Sequence, residues 1–229
     1  MNDHVHDLDA VREATGRLLA TAARLDADSL AGPSLLPDWS RGHVLAHLSL
    51  NADALVNVLQ DRPMYASGEI RNSDIERDSS RTPEDQLAEL HASHDRFLAA
   101  TDAPADWSRT VTLRNGVTDP AYRIPFRRLA EVELHHIDLG AGYELEDLPD
   151  EFTVREIEFL ADRFSGNPTV VATTVTDDKG RTWTTGGGAA GDPVAVSGTA
   201  PELLGWLCGR RDGSGLTVSG GPLPALPPL

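Results

Sequence analysis

The chain has 229 residues, of which 40% are hydrophobic and 24% charged, and its net charge is −16 at pH 7. This composition is ordinary for one large globular domain or two small ones, and the acidic excess argues against nucleic acid or an anionic membrane as a partner. The single cysteine, Cys208, excludes an internal disulfide and a cysteine-based zinc cluster, and we expect it to be a core residue.

Four segments of the first 147 residues have apolar residues at the three- and four-residue spacing of an amphipathic helix. These predicted helices cover residues 7–26, 38–60, 83–102 and 124–142. The segment 61–82 is polar and charged with little periodicity, so we predict a long loop there. An Asn-Gly pair at 115–116 predicts a tight turn before the last helix. Residues 1–147 are therefore predicted to form a helical bundle.

The remaining residues, 148–229, have a different pattern. A helical segment at 151–164 is followed by short β-type runs separated by Asp and Gly turns. A second helix is predicted at 199–210, with Thr199 as its cap, and a last strand at 215–220. This order predicts a small α+β domain, so the fold class of the whole chain is α+β: a four-helix bundle followed by a small α+β domain.

The predicted fourth helix contains the stretch RRLAEVELHHIDLG (127–140), in which acidic residues and histidines alternate with apolar residues. Because a helical residue advances by about 100°, Glu131, His135 and Asp138 share one face, whereas Glu133 and His136 point to the other. A carboxylate and an imidazole four residues apart can bind one metal ion inside a helical bundle. We therefore expect the first face to be a site and the second to pack.

A third metal ligand has to come from another helix, and the second helix offers His43 and His47, again four residues apart. Either histidine would complete a set of two histidines and one glutamate, which leaves a coordination position open, as in catalytic zinc sites. Asp138 would then support a ligand by accepting a hydrogen bond from its other ring nitrogen.

The same residues also have a simpler explanation, since such pairs are common on helices that bind no metal. His43 and His47 would then be partly buried or surface histidines. We expect His91 and His94, in a strongly charged helix, to lie on a solvated face. The arginines of the 61–82 segment are expected to be solvated and paired with nearby acids, although some could help to bind an anion: Arg62, Arg71, Arg77 and Arg81.

Four stretches that span almost the whole chain resemble the mycothiol-dependent maleylpyruvate isomerases, which are related to the DinB-like metal-binding four-helix proteins. They are LPDWSRGHVLAHLSLNADAL (36–55), RPMYASGEIRNSDIERDSSR (62–81), RRLAEVELHHIDLGAGYELEDLP (127–149), and the ending that contains GWLCGR and GPLPALPPL. The resemblance implies a DinB-like bundle and a C-terminal domain similar to sterol-carrier folds.

The resemblance also implies residue roles. The metal ligands of the family match His47, Glu131 and His135. Asp138 keeps the supporting catalytic role that its position on the same helix face suggests. The family's C-terminal domain supplies an arginine to the active site, and Arg210 matches it, with Arg211 as the neighbouring alternative. The implied cofactors are Zn²⁺, or another divalent metal, and mycothiol.

The implied reaction is the conversion of maleylpyruvate to fumarylpyruvate, a step of aromatic degradation through gentisate, in which the metal activates a thiolate that adds to the double bond. Two alternatives remain open: a mycothiol S-transferase that acts on a different electrophile, and a non-catalytic binding module. We expect small-molecule substrate and mycothiol as the partners, and a monomer. The N-terminal sequence lacks a secretory signal pattern, so we expect a cytoplasmic protein.

Overall fold

The structure, a computed structural model, describes residues 4–102 and 106–228. The chain forms two compact units, one ending at Tyr143 and the other beginning at Glu144. Helices dominate the first unit, and the second contains a small sheet, which confirms the predicted α+β fold class. Within the described residues, no helix combines the length and the apolar character needed to cross a membrane.

The first unit is built on four long helices, which the sequence predicted. Its helices are α1 (His4–Ala22), α2 (Ala27–Ala31), α3 (Arg41–Leu59), α4 (Gly68–Ser79), α5 (Pro83–Thr101) and α6 (Ile124–Asp138). Helix α3 packs on α5 and α6, and α1 packs on the same two helices, so the four long helices enclose one core. That core is apolar and includes Val11, Leu18, Leu48, Leu55, Leu90, Phe97 and Val132.

Strands β1 (Thr110–Thr112) and β2 (Thr118–Pro120) form an antiparallel pair in the connection to α6. Asn115 and Gly116 lie between them, with φ angles of 60° and 75°. This left-handed backbone is accessible to Asn and Gly, so the predicted tight turn is confirmed.

The predicted long loop at 61–82 is wrong for residues 68–79, which form α4. Ser67 caps this helix by accepting a hydrogen bond from the backbone N–H of Ile70 at 3.1 Å. Only Ile75 and Asp78 of the helix are buried, so no apolar stripe was present for a periodicity argument to detect. The cap, rather than burial, is the local signal for this helix.

Gln86 of α5 fixes where α4 ends against α3. Its side-chain amide is buried and donates to the backbone carbonyls of Gly42, at 3.2 Å, and Asp78, at 2.8 Å. The two helices approach so closely here that a Cβ placed on Gly42 would lie 2.2 Å from the carbonyl oxygen of Ser79. The glycine therefore allows α4 to pack beside the start of α3.

The second unit is an α+β arrangement of two helices and a four-stranded sheet. Its elements are α7 (Asp150–Phe164), β3 (Thr173–Asp177), β4 (Thr182–Thr185), β5 (Val194–Gly198), α8 (Ala200–Leu207) and β6 (Thr217–Ser219). The strand order is β4-β3-β5-β6, with β3 and β5 parallel and the outer pairs antiparallel. Cys208 is buried at the end of α8, where burial raises the pKa of its thiol, which confirms it as a core residue.

The close approach of α3 and α4 predicts opposite effects for two glycine substitutions. Gly42→Ala should lower the free energy of unfolding by about 1–3 kcal/mol, because its methyl group meets the backbone of Ser79. Gly16→Ala on α1 is the matched control, since no heavy atom lies within 4 Å of the added Cβ, and it should raise stability by about 0.5–1 kcal/mol. Urea unfolding measures both, and equal stabilities would contradict the packing of α4 on α3.

Candidate metal centre

Three side chains from α3 and α6 converge on one point of the bundle. The Nε2 atom of His47 lies 3.0 Å from Oε2 of Glu131 and 3.1 Å from Nε2 of His135, and the last two atoms are 3.4 Å apart. Tetrahedral ligands about 2.1 Å from a zinc ion lie roughly 3.4 Å from one another. The spacing of these three atoms therefore fits a metal ion, with a fourth position left for another ligand.

The charge state of the cluster also suits a cation. Burial lowers the pKa of His47 to about 4, so its imidazole is neutral at pH 7 and has a lone pair to offer. Burial would raise the pKa of Glu131, but hydrogen bonds with His135 and His47 hold it well below its ordinary value, so the carboxylate is ionised. A neutral imidazole and an ionised carboxylate thus face each other.

His135 is held in a defined orientation by Asp138. Its Nδ1 lies 2.8 Å from Oδ2 of Asp138, whose side chain is fully buried. Burial lowers the pKa of His135, but the hydrogen bonds to Asp138 and Glu131 outweigh it and leave the pKa above its ordinary value. A carboxylate that accepts the Nδ1 proton leaves Nε2 as the ligand atom, which is the usual support of a metal-bound histidine.

His43 does not join the cluster, although its spacing allowed either histidine. Its backbone N–H donates to the Ser40 hydroxyl at 3.3 Å, and its Nδ1 lies 3.2 Å from the Ser40 backbone nitrogen, so it completes the N-terminal cap of α3. Its Nε2 faces Glu76 of α4 at 3.1 Å. The local cap signal at Ser40 therefore distinguishes the two histidines.

Arg128 fixes the register of α6 against α3 beside the cluster. Its side chain is fully buried, and its Nη1 donates to the Leu48 carbonyl and to Oδ1 of Asn51, both at 2.8 Å. Leu48 follows His47, and Arg128 precedes Glu131 by three residues, so these bonds set the ligands opposite each other. Burial lowers the pKa of Arg128 to about 10, which leaves it charged at pH 7.

The other face of α6 packs as expected. Glu133 is buried and accepts hydrogen bonds from Arg17 at 2.6 Å and from the Tyr143 hydroxyl at 2.8 Å. The ring of His136 stacks on Tyr143, with centroids 4.0 Å apart. Neither side chain is among the three converging ligands.

The prediction of a solvated position is wrong for His94, which is buried. His91 is exposed, as predicted. His94 follows Leu90 by four residues and precedes Phe97 by three, so it lies on the apolar stripe of α5. Burial, together with the nearby charge of Arg128, lowers its pKa to about 4.

Sequence reasoning gave Arg71 only a minor role and gave Tyr65 none, although both lie beside the centre. Arg71 of α4 lies with Nη2 3.2 Å from Nδ1 of His47, and its guanidinium is 5.6 Å from the ring centre of Tyr65. Tyr65 also lines a cavity of about 590 Å³ between residues 58–68 and 110–115. Because α4 was predicted as a loop, no helical spacing linked Arg71 to the site.

The two candidate arginines of the second unit differ in their partners. Arg211 forms ion pairs with Glu146 at 2.8 Å and with Glu202 at 2.5 Å. Arg210 donates from Nη1 to the carbonyl of Cys208 at 2.9 Å. The role of either residue in catalysis stays a prediction.

Comparisons with known proteins give one consistent result. The family model described as mycothiol maleylpyruvate isomerase N-terminal domain matches residues 11–140, and the MDMPI C-terminal domain matches residues 147–228. A crystal structure of the mycothiol-dependent maleylpyruvate isomerase is similar, with a TM-score of 0.89 and 26% identity, covering 99% of this chain and 97% of that one. A histidine-to-alanine mutant of such an enzyme gives a TM-score of 0.88 at the same identity and coverage. No curated protein matches the chain.

The different positions of the two α3 histidines predict different effects on metal binding. His47→Ala should weaken Zn²⁺ binding by more than about 100-fold, because the loss of a ligand exceeds the loss of a supporting residue. His43→Ala should keep one metal per chain and lose only about 1 kcal/mol of stability with the helix cap. Competition titration with a chromophoric chelator measures both, and equal affinities in the two variants would contradict the ligand set.

Proposed function

The chain belongs to the mycothiol maleylpyruvate isomerase family, and we propose that it converts maleylpyruvate to fumarylpyruvate with mycothiol as its thiol cofactor. The observation that carries this proposal is the convergence of His47, Glu131 and His135 in a chain that matches both domains of the family. The proposed metal is Zn²⁺, since two imidazoles and a carboxylate suit it. Other divalent metals accept the same donors.

The reaction needs a nucleophile because rotation about a C=C bond requires a lower bond order. A thiolate that adds to one alkene carbon forms a C–S bond and sends the π electrons to the conjugated carbonyl oxygen as an enolate. The remaining single bond rotates, and collapse of the enolate expels the thiolate to give the trans isomer. The chain's one cysteine is buried, with a raised thiol pKa, so mycothiol is proposed to supply the sulfur.

A free thiol has a pKa of about 8.5 and is mostly protonated at neutral pH. A divalent metal held by the three ligands supplies the positive charge that favours the thiolate. The chain's own contribution is orientation: Asp138 retains the proton of His135 at Nδ1, and Arg128 holds α6 in register with α3. In this proposal Asp138 is a positioning residue, acting through His135.

Arg210 is proposed to bind a carboxylate of the substrate and to stabilise the enolate oxygen. Arg211 is already shared by Glu146 and Glu202, and the choice of Arg210 rests on its place directly after the stretch LCG, which the family resemblance implies. In the described part of the chain, no observation favours the S-transferase alternative. The cytoplasmic location, the monomeric state and a place in gentisate degradation also stay predictions.

The proposed function predicts that metal-loaded protein consumes maleylpyruvate only in the presence of mycothiol. Absorbance should follow the loss of maleylpyruvate, and chromatography should identify fumarylpyruvate as the product. S-methyl mycothiol is the matched control, because it keeps the sugar portion but has no nucleophile, and it should give the background rate. Full turnover with the methylated compound would contradict thiolate addition, and a stable thioether product would indicate an S-transferase.

The choice of arginine makes a separate prediction. Arg210→Ala should lower kcat/KM for maleylpyruvate by about 10- to 100-fold, because a hydrogen bond from a charged group to the substrate is lost. The metal content should stay at one per chain. Arg211→Ala is the control; it should lose ion pairs and some stability, but keep its turnover. Steady-state kinetics with metal analysis distinguishes the two, and the reverse pattern would assign the role to Arg211.

A further inference from the structure

Arg71 is the basic side chain of α4 that lies against the candidate metal centre. Its Nη2 atom is 3.2 Å from Nδ1 of His47, and its Nη1 donates to Oδ1 of the neighbouring Asn72 at 3.0 Å. Among the described residues, no carboxylate forms an ion pair with Arg71. The guanidinium is half-buried, although the chain has 36 acidic residues.

The other arginines of this region show what the expected pairing looks like. Arg77, six residues further along α4, donates to Asp74 at 2.5 Å and to Asp78 at 2.8 Å. Arg81 lies 3.1 Å from Asp78. These two follow the prediction of solvated, paired charges, whereas Arg71 departs from it.

The contact between Arg71 and His47 changes when His47 is a metal ligand. A guanidinium only donates hydrogen bonds, so the contact requires a lone pair on Nδ1. A neutral imidazole that offers Nε2 to a metal has its proton on Nδ1, and then both groups are donors. The Nη2 of Arg71 would then have no acceptor on His47 and could donate to one of the two carboxylates that maleylpyruvate carries.

Tyr65 and a second arginine extend this basic surface toward the cavity. Tyr65 is close enough to Glu131, Arg71 and Arg114 for all three charges to act on its hydroxyl. Arg114 and Tyr65 both line the cavity of about 590 Å³. A small dianion near the metal centre would thus have an arginine fork beside it and a space for the rest of the molecule.

We propose that Arg71 binds a carboxylate of the substrate and makes the site selective for dicarboxylates, an inference that rests on the proposed isomerase function. The net charge of −16 repels a dianion, so a local cation is needed to hold it. The planar guanidinium fork matches a carboxylate in two parallel hydrogen bonds, which a lysine cannot reproduce. In this proposal the thiol cofactor is held through its sulfur at the metal and does not use Arg71.

The test measures binding of maleate, a cis-dicarboxylate that carries the charges without the reactive enedione, by calorimetry on metal-loaded protein. Arg71→Met should raise the Kd for maleate by about 10- to 100-fold, and Arg71→Lys by a smaller factor. Arg77→Met is the matched control: it removes one charge from the same helix while Arg81 still pairs with Asp78, and it should leave the Kd unchanged. Metal content should be equal in all variants.

Kinetics with maleylpyruvate adds a second readout, in which Arg71→Met raises KM for maleylpyruvate and leaves KM for mycothiol unchanged. An unchanged Kd for maleate in Arg71→Met, or an equal rise in Arg77→Met, would overturn the proposal. A loss of metal with an unchanged Kd would also overturn it and make Arg71 a structural partner of His47. Because maleate binding needs no turnover, a protein that binds maleate through Arg71 but does not isomerise maleylpyruvate would contradict only the proposed function.

Discussion

Three potential ligand atoms, one from α3 and two from α6, lie within 3.0–3.4 Å of each other, and the rest of the candidate site is arranged around them. Two imidazole lone pairs and a carboxylate repel one another at such distances unless a proton or a cation lies among them. The proposed function, which needs a cation at this point, accounts for these groups on facing helices.

The surrounding structure limits how far the ligands can move. Arg128 ties α6 to the α3 backbone next to His47, and Asp138 fixes the ring of His135. Gln86 hydrogen-bonds to the start of α3 and to the end of α4. Helix α4 in turn places Arg71 beside His47. Each support is a buried polar group that makes at least one defined hydrogen bond, and losing that bond would leave a further buried polar atom unpaired. The centre is thus held by hydrogen bonds between helices rather than by loops.

Much of this could be predicted from the sequence because strong local signals coincide with the fold. The long helices have apolar stripes, and the four-residue spacing of Glu131 and His135 puts both on one face whatever the tertiary structure is. The choice of His47 over His43 came from family resemblance, although the Ser40 cap is a physical reason for it. Helix α4 was missed because its two buried residues make no apolar stripe. The position of Arg71 was missed as well, because this residue lies on α4. His94 was misjudged because the charges around it hid its three- and four-residue spacing from Leu90 and Phe97.

The central claim is that His47, Glu131 and His135 hold a metal whose open position accepts the sulfur of mycothiol. X-ray absorption at the zinc edge of the loaded protein tests it directly, with and without mycothiol. The account predicts nitrogen and oxygen neighbours at about 2.0–2.2 Å in both states and one new sulfur neighbour at about 2.3 Å when mycothiol is added. A zinc environment that mycothiol leaves unchanged, with no sulfur neighbour, would contradict it.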